Sequence, residues 1–203
     1  MFYLFAVAMA TLIISLINFF ADGIYSVRAL GGSLLLTLAG VAAVFVIDAL
    51  FAFVIRRLPE KWFLPEARAF AVSKKERAFY RKTKINEWKK YVPEWGCFTG
   101  FHKDKLREPS DSEYLGRFLI ESNYGVAGHI AGAIFGFAIM LIPPLRPLTV
   151  ALPIATVNFI LSVLPTMILR FNTPALRGLY RRNLEREKRK PQRSDEIEKE
   201  VVN

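Results

Sequence analysis

The chain has 203 residues, 53% of them hydrophobic, and a formal net charge of +10. A soluble domain this apolar could not keep a polar surface, so the composition excludes an ordinary soluble fold and indicates a small polytopic membrane protein. The single cysteine, Cys97, also excludes an internal disulfide and a cysteine-rich metal site.

Four apolar blocks predict four membrane-spanning helices, because about 20 residues cross the hydrocarbon core. The blocks cover about residues 2–20, 31–55, 118–142 and 149–169. The first block lacks a basic start and exceeds the apolar core of a signal peptide, so we expect it to be a retained span. The fold class is therefore an all-α integral membrane domain over residues 1–184. A charged tail, residues 185–203, follows, and we expect it to be mobile or to continue the last helix.

The basic residues predict how these spans are oriented. Of the 28 Lys and Arg residues, 16 lie within residues 56–117 and 10 lie from Arg170 onward, whereas only Arg28 and Arg146 lie in the other two connections. By the positive-inside rule, the loop of residues 56–116 and the tail face the cytoplasm. With four spans, both termini are then cytoplasmic.

The long loop predicts an amphipathic helix that lies at the membrane interface. Apolar side chains recur at mostly helical spacings among Lys and Arg: Val72, Phe79, Ile85, Trp88 and Val92. The loop also contains Trp62, Trp88 and Trp95, whose indole rings favour the headgroup region. This basic surface either attracts an anionic lipid or a phosphate-bearing substrate, or it only anchors and orients the protein, and the sequence leaves both interpretations open.

The third span carries two ionisable side chains, Glu121 and His129. An ionisable group at membrane depth costs about 3 kcal/mol or more unless it faces protein, water or a substrate. A buried neutral histidine is the best general base in the chain, so we predict a catalytic role for His129. The alternatives are that Glu121 lies in the headgroup zone beside Arg117 and that His129 is a polar tether to a neighbouring helix.

Glu121 and His129 are eight residues apart, which is about 12 Å along a helix with about 80° of rotation. Their side chains cannot touch on one regular helix, but they could line one cavity at two depths. With two histidines in the chain and no carboxylates at ligand spacing, we expect no metal site.

The same span contains a row of glycines, Gly128, Gly132 and Gly136, with Gly125 one turn earlier. Steps of four residues between small side chains predict a close crossing with another helix. In the second span Asp48 is expected to pair with a basic residue at the end of that span, Arg56 or Arg57, or with a polar group on another helix.

Prolines predict irregularities in the fourth span. Pro153 and Pro165 are expected to interrupt it and free backbone carbonyls, as happens around membrane cavities. Asn172 precedes Thr173 and Pro174, so we expect the helix to end or kink there.

Three motifs within residues 85–182 indicate a family resemblance, because their order and approximate spacing match those of a known family. They are INEWKKYVPEWGCFTGFHKDKL, EYLGRFLIES with His129 downstream, and RFNTPALRGL after the last span. Together they resemble the glycosyl-4,4'-diaponeurosporenoate acyltransferase family of small bacterial membrane proteins. The chain departs from the family pattern where arginine or glutamate is usual, at Tyr124, Val126, Thr173 and Ala175.

The resemblance implies a membrane acyltransferase that esterifies a sugar hydroxyl of a carotenoid glycoside with a fatty acyl chain, acting in the bacterial cell membrane from the cytoplasmic side. His129 and Glu121 are then the catalytic candidates, and the substrate-binding candidates are Arg170, Asn172, Trp88 and Lys89. We expect no cofactor apart from the acyl donor, which could be an acyl-CoA. The expected partners are membrane lipids, a lipid or glycolipid substrate and a helix-packed second copy, with no nucleic acid.

Two other functions remain open. A non-catalytic lipid-binding or scaffold protein, partnering an enzyme of envelope-lipid synthesis, would use the glycines for helix partners. A transporter is less well supported, because four spans with few charges form a poor aqueous path and the sequence has no inverted repeat.

Overall fold

The computed structural model describes residues 2–92 and 106–202, and this part of the chain contains helices and no strand. Four helices are long and apolar enough to cross a membrane, which confirms the predicted all-α fold with four spans. Trp95 and Cys97 lie outside the described residues. The helices are α1 Phe2–Asp22, α2 Val27–Arg57, α3 Lys74–Lys82, α4 Ile85–Trp88, α5 Ser112–Phe135 and α6 Leu152–Val202.

Helices α5 and α6 form the most extensive pair and run antiparallel. A Cβ atom added to Gly125 would lie 3.2 Å from Leu169 Cδ1, and one added to Gly136 would lie 2.6 Å from Asn158 Nδ2. Eleven residues separate the two contact points on each helix, so the register is constant between them. Residue 129, four residues after Gly125, is therefore level with residue 165, four residues before Leu169.

Helices α1 and α2 pack beside this pair and close the bundle. Gly40 on α2 lets α6 approach closely, since a Cβ there would meet Ile154 Cδ1 at 2.6 Å. The Ser33 hydroxyl donates a hydrogen bond to the carbonyl of Ser15 at 2.7 Å, which joins α2 to α1. The core between these helices consists of buried apolar side chains: Ile14, Val44, Ile139, Leu145, Val150, Ala151, Ile154 and Ala155.

The α5–α6 connection contains two irregular helical turns. A 3-10 turn, Gly136–Leu141, extends α5, and a π-helical turn, Pro147–Ala151, leads into α6. Arg146 between them has a left-handed backbone with φ 49°, and its guanidinium pairs with Asp22 at 2.7 Å. This ion pair ties the end of α1 to the connection.

Helix α6 does not end at Asn172, so the expected helix end there is wrong. It runs without a break for 51 residues, about 77 Å, which is longer than a bilayer is thick, and it continues into the charged tail. Pro174 lacks the N–H that would bond the carbonyl of Arg170, but packing along α5 and onto the loop holds the helix on both sides of this gap. Likewise Pro165 lies inside the continuous helix, and Pro153 lies in its first turn, where a proline is well tolerated.

Residues 58–92 form a folded layer, here called the platform. It lies at the end of the bundle where α2 ends and α5 begins, and this end is here called the loop end. The expected single amphipathic helix is divided into α3 and α4 at Lys84, whose φ is 53°. Apolar side chains of both helices pack against α6, a contact that the predicted interfacial helix did not include, and Phe79 is exposed. The contacting side chains are Val72, Tyr80, Ile85, Trp88 and Val92 from the platform and Met167, Ile168 and Phe171 from α6.

Candidate functional site

One face of α5 carries the predicted base and the glycines. His129 lies four residues after Gly125, three before Gly132 and seven before Gly136, so all four share this face. Gly125 and Gly136 receive side chains of α6, as the register above requires. The predicted close approach of neighbouring helices therefore occurs, and it takes place within the chain.

A polar network lies on the same face, where α2, α5 and α6 meet. A Cβ on Gly132 would lie 3.0 Å from Asp48 Oδ1, so the absence of a side chain there makes room for the carboxylate. Asn158 Nδ2 donates to Asp48 Oδ1 at 3.3 Å and to the carbonyl of Gly132 at 3.2 Å. Of the two partners expected for Asp48, the structure thus shows the polar group on another helix.

His129 is half-buried and lies level with Pro165 of α6. Because Pro165 has no N–H, the carbonyl of Leu161 has no helical partner at residue 165, and a polar acceptor becomes available at the depth of His129. The residue before the histidine, Gly128, has open space beside it: a Cβ added there would meet nothing within 4 Å. The structure thus places a polar backbone group at the depth of His129, next to a glycine whose own side-chain position is open.

Glu121 lies nearer the loop end and belongs to an ion pair. Arg56 Nη2 at the end of α2 lies 2.5 Å from Glu121 Oε2, and the guanidinium is also 5.0 Å from the centre of the Tyr124 ring. Arg117, which was expected beside Glu121, pairs instead with Glu60 of the platform at 3.0 Å. Glu121 is thus held by α2, about 12 Å along α5 from His129.

The platform is fixed to α5 by polar and aromatic contacts. Asn123 Nδ2 donates to the carbonyls of Phe63 at 2.9 Å and Leu64 at 3.2 Å. The Tyr124 hydroxyl donates to the carbonyl of Leu58 at 3.1 Å, and its ring stacks on Phe63 with the centroids 3.8 Å apart. The segment that follows α2 therefore covers the loop end of α5 in a defined position.

Arg170, a predicted substrate-binding residue, is engaged by the platform. Its Nε and Nη2 atoms donate to Glu76 at 2.5 and 2.9 Å, and Nη2 also donates to the carbonyl of Ala71 at 3.2 Å. The Tyr80 hydroxyl donates to the same Glu76 carboxylate at 2.5 Å. The hydrogen bond from Arg170 holds the pKa of Glu76 below its usual value. Burial, aided by the negative Glu76, raises the pKa of Tyr80 to about 12, so Tyr80 remains protonated.

The other predicted substrate-binding residues lie around this ion pair. The Trp88 ring packs in the cluster with Ile168 and its Nε1 donates to the carbonyl of Thr83 at 2.9 Å. Lys89 Nζ lies 5.8 Å from the centre of the Phe171 ring, and the half-buried Asn172 is the next residue of α6. The structure therefore brings these candidates to one place at the loop end.

The substrate-binding candidates at the loop end lie at a different depth from His129. Arg170 and Asn172 lie five and seven residues beyond the level of His129, or about 8 and 10 Å along the helix axis. The two groups therefore lie at different depths, where they can contact different parts of one long substrate. Within the described ranges, no group of three or more His, Cys, Asp or Glu side chains could hold a metal ion.

Two neighbours of Arg170, Glu76 and Tyr80, were not predicted from the sequence. A signal for Glu76 was present, because Ser73 and Glu76 have the spacing of a capping box and the Ser73 side chain does accept from the N–H of Glu76. This pattern marks the start of α3 and thereby the face on which Glu76 and Tyr80, four residues apart, lie together. It could not have identified Arg170 as their partner, which is 94 residues away from Glu76.

Comparison with known proteins adds one match. The profile of the glycosyl-4,4'-diaponeurosporenoate acyltransferase family matches residues 59–182, which extends the resemblance seen in the motifs from residue 85 back to the start of the platform. No curated protein and no solved structure matches the chain.

Proposed function

Because the chain belongs to the glycosyl-4,4'-diaponeurosporenoate acyltransferase family, we propose that it transfers a fatty acyl group to a hydroxyl of a lipid or glycolipid in the membrane. The acceptor would be similar to a carotenoid glycoside. The family match includes the platform, α5 and the part of α6 that faces them, and with these all of the site residues predicted from the sequence.

The observation that carries this proposal is that His129 lies half-buried at the level of Pro165, directly after Gly128, whose side-chain position is open. The other three glycines on this side of α5 are filled by Leu169, Asp48 and Asn158, whereas a side chain on Gly128 would meet nothing. A hydroxyl that is to be deprotonated must come within hydrogen-bond reach of the base, and this requires room next to the imidazole. We assign that room to the acceptor hydroxyl.

In the proposed reaction His129 accepts the proton of the acceptor hydroxyl while the oxygen attacks the acyl carbonyl carbon. A new C–O bond forms, and the bond between the carbonyl carbon and the leaving group of the activated donor breaks. The leaving group departs with the electron pair and takes the proton from His129, which returns the imidazole to its neutral form. No cofactor other than the donor is consumed.

We assign the donor to the loop end, where the cluster of Trp88, Lys89, Arg170 and Asn172 would bind its polar part. The basic platform would then face the cytoplasm, in agreement with the positive-inside rule, and both termini would be cytoplasmic in a bacterial cell membrane. Glu121 would act by holding Arg56 and the end of α2 beside this cluster. A homo-oligomer could not use the positions of Gly125, Gly132 and Gly136, because side chains of the same chain occupy them.

The test is mass-spectrometric lipid profiling of the native host after deletion of the gene and its restoration as wild type, His129→Gln or His102→Gln. His102 is the other histidine of the chain and serves as the matched control. We expect an acylated lipid to disappear on deletion and to return with wild type and His102→Gln but not with His129→Gln. Restoration of the lipid by His129→Gln, at equal protein level, would exclude the catalytic assignment.

A scaffold protein is the second candidate, and one observation favours it. Glu121 and Arg170, two of the charged residues expected in the site, are both held in ion pairs within the chain, at Arg56 and Glu76. A scaffold would use these pairs only to fix the platform. It predicts that every histidine variant restores the lipid profile, while purified protein alone produces no acylated lipid.

A further inference from the structure

Three arginines of α6 form a row that faces the platform: Arg170, Arg177 and Arg181. Intervals of seven and four residues place them on one side of the helix. Two of the three have a carboxylate partner on the platform. Arg170 binds Glu76 through two nitrogens, and Arg181 Nε donates to Glu66 at 2.8 Å while its Nη2 donates to the other oxygen.

Arg177, in the middle of the row, is bound differently. Its Nη2 donates to the carbonyl of Ala67 at 3.0 Å, and its Nε is shielded from solvent with no hydrogen-bond partner in the described part of the chain. A buried donor of a charged group that lacks an acceptor destabilises the fold, because it has lost its hydrogen bonds to water. Such an orphan donor in a folded protein needs an explanation, and a bound anion is one.

The electrostatics of the row favour an anionic acceptor. The two carboxylates form ion pairs with Arg170 and Arg181, whereas Arg177 between them has no ion pair within the described residues. A guanidinium presents its N–H groups as a planar fork that matches the oxygens of a phosphate. Lys89, on the side of the platform that packs on Phe171, adds a further positive charge near this end of α6.

We propose that Arg177 binds the phosphate of a phosphopantetheine thioester, which is the acyl donor of the reaction. The inference rests on the proposed function, because it needs a donor whose carbonyl reaches His129. Arg177 lies twelve residues beyond Pro165, which is level with His129, so about 18 Å along the helix axis separates the anion site from the base. The extended pantetheine arm is long enough to bridge this distance from phosphate to thioester.

The distance also selects among phosphate-bearing donors. In a phospholipid only the glycerol unit separates the phosphate from the ester carbonyls, so a phospholipid with its phosphate on Arg177 would keep its carbonyl far from His129. A phosphopantetheine arm is carried by coenzyme A and by acyl carrier protein, and both would present the same phosphate to Arg177. The cluster around Trp88 and Arg170 lies between the two ends, where the arm would pass.

Binding of phosphate-bearing probes to the full chain in phosphatidylcholine nanodiscs tests this site without any need for turnover. The probes are coenzyme A, 4'-phosphopantetheine and pantetheine, measured by calorimetry, with acyl carrier protein in its phosphopantetheine form as a second arm. We expect Arg177→Gln to weaken binding of the phosphate-bearing probes about tenfold to hundredfold. Arg177→Lys, which keeps the charge but not the fork, should show an intermediate loss.

The controls separate the phosphate contact from general effects. Arg182→Gln removes an exposed arginine of the same helix and should change affinity less than about twofold. Pantetheine, which lacks the phosphate, should bind weakly and equally to wild type and Arg177→Gln. An unchanged melting temperature of Arg177→Lys shows that its loss of affinity does not reflect unfolding.

Each result decides for or against the site. Loss of affinity for coenzyme A, or for the carrier protein alone, on Arg177→Gln supports the site and identifies which of the two carries the arm. Equal affinity of wild type and Arg177→Gln for all probes, or no binding by wild type, overturns it. An effect of Arg177→Gln that appears only in phosphatidylglycerol nanodiscs overturns the donor assignment in favour of a lipid headgroup. Turnover by His129→Gln would refute the proposed base and leave the binding result standing.

Discussion

Asn158 of α6 donates one hydrogen bond to Asp48 of α2 and another to the carbonyl of Gly132 on α5, so a single amide joins three membrane-spanning helices. The glycine is what permits the arrangement, because a Cβ at that position would lie 3.0 Å from the Asp48 carboxylate. Inside a membrane a polar side chain of this kind has no water to bind, so its partners must come from the protein.

The first prediction is that Asn158→Leu destabilises the bundle by about 1–3 kcal/mol, because Asp48 and Gly132 lose a buried donor. Unfolding of the purified protein in mixed micelles by increasing denaturing detergent measures the effect. Thr156→Val is the matched control on the same helix, since the Thr156 hydroxyl is exposed and donates only to the carbonyl of Leu152.

The double variant Asp48→Leu with Asn158→Leu shows whether the two side chains act together. If they do, the double variant loses less stability than the sum of the single variants, because removal of either partner already leaves the other unsatisfied. Strictly additive losses would contradict the network.

The second prediction concerns the glycines of α5. Gly128→Ala should fold normally and gain up to about 1 kcal/mol, because its Cβ meets nothing within 4 Å and alanine favours a helix over glycine. Gly136→Ala should be destabilised, since its Cβ would lie 2.6 Å from Asn158 Nδ2. Thermal melting of the two variants in parallel gives the contrast.

A larger side chain at Gly128 tests whether the open space there is needed for acyl transfer. Gly128→Leu should keep a wild-type melting temperature and lose acyl transfer, because the side chain occupies the space assigned to the acceptor hydroxyl. Full production of the acylated lipid by a folded Gly128→Leu protein would argue that the acceptor approaches His129 from another side.

The sequence predicted the four spans because apolar blocks of about 20 residues have few other uses in proteins. It also predicted amphipathic helical structure within residues 72–92, but not that the apolar side chains of this segment pack against α6. Local signals failed at Pro174, where they favoured a helix end. Packing on α5 and the platform outweighs the loss of one backbone hydrogen bond there, and single-sequence patterns contain no information on such long-range contacts.

In the candidate site, too, the sequence predicted individual residues but not their long-range contacts. Glu121, His129 and Arg170 could be predicted as site residues from the free-energy cost of an ionisable group in a membrane and from the family motifs. Their partners could not, because Arg56 is 65 residues from Glu121 and Glu76 is 94 residues from Arg170 in the chain. Packing between helices that are distant in sequence decides which charged residues are held in ion pairs. It also decides which side of α5 has open space.

The third prediction follows from the break between α3 and α4. Lys84 has φ 53°, a left-handed conformation that costs a residue with a Cβ about 1 kcal/mol relative to glycine. Lys84→Gly should therefore stabilise the platform slightly or leave it unchanged, although it removes an exposed 3.8 Å ion pair with Glu87. Resistance of the platform to limited proteolysis measures this.

A second glycine variant controls for charge and flexibility. Lys82→Gly removes the same charge at the last residue of α3, where the backbone is helical, and should weaken the platform. Equal proteolysis rates for both variants would show that the left-handed conformation of Lys84 carries no strain.

The fourth prediction concerns pH. The hydrogen bond from Arg170 lowers the pKa of Glu76 below the usual 4.5, so the folded protein binds a proton at this carboxyl less readily than the unfolded chain does. The pair therefore stabilises the fold fully above the unfolded pKa. As the pH falls through the lower folded pKa, Glu76 becomes protonated and this contribution is lost.

Glu76→Gln isolates this contribution from other acid effects. At neutral pH the variant should be less stable than wild type by about 1–2 kcal/mol, because Arg170 and Tyr80 lose a charged acceptor. The difference should shrink as the pH is lowered from about 5 toward 3, since wild type is then neutral at this position too. Glu87→Gln, which removes an exposed carboxylate of the same platform, should stay parallel to wild type over the whole range. A Glu76→Gln difference that does not change with pH would mean that the carboxylate charge is not what holds Arg170 to the platform.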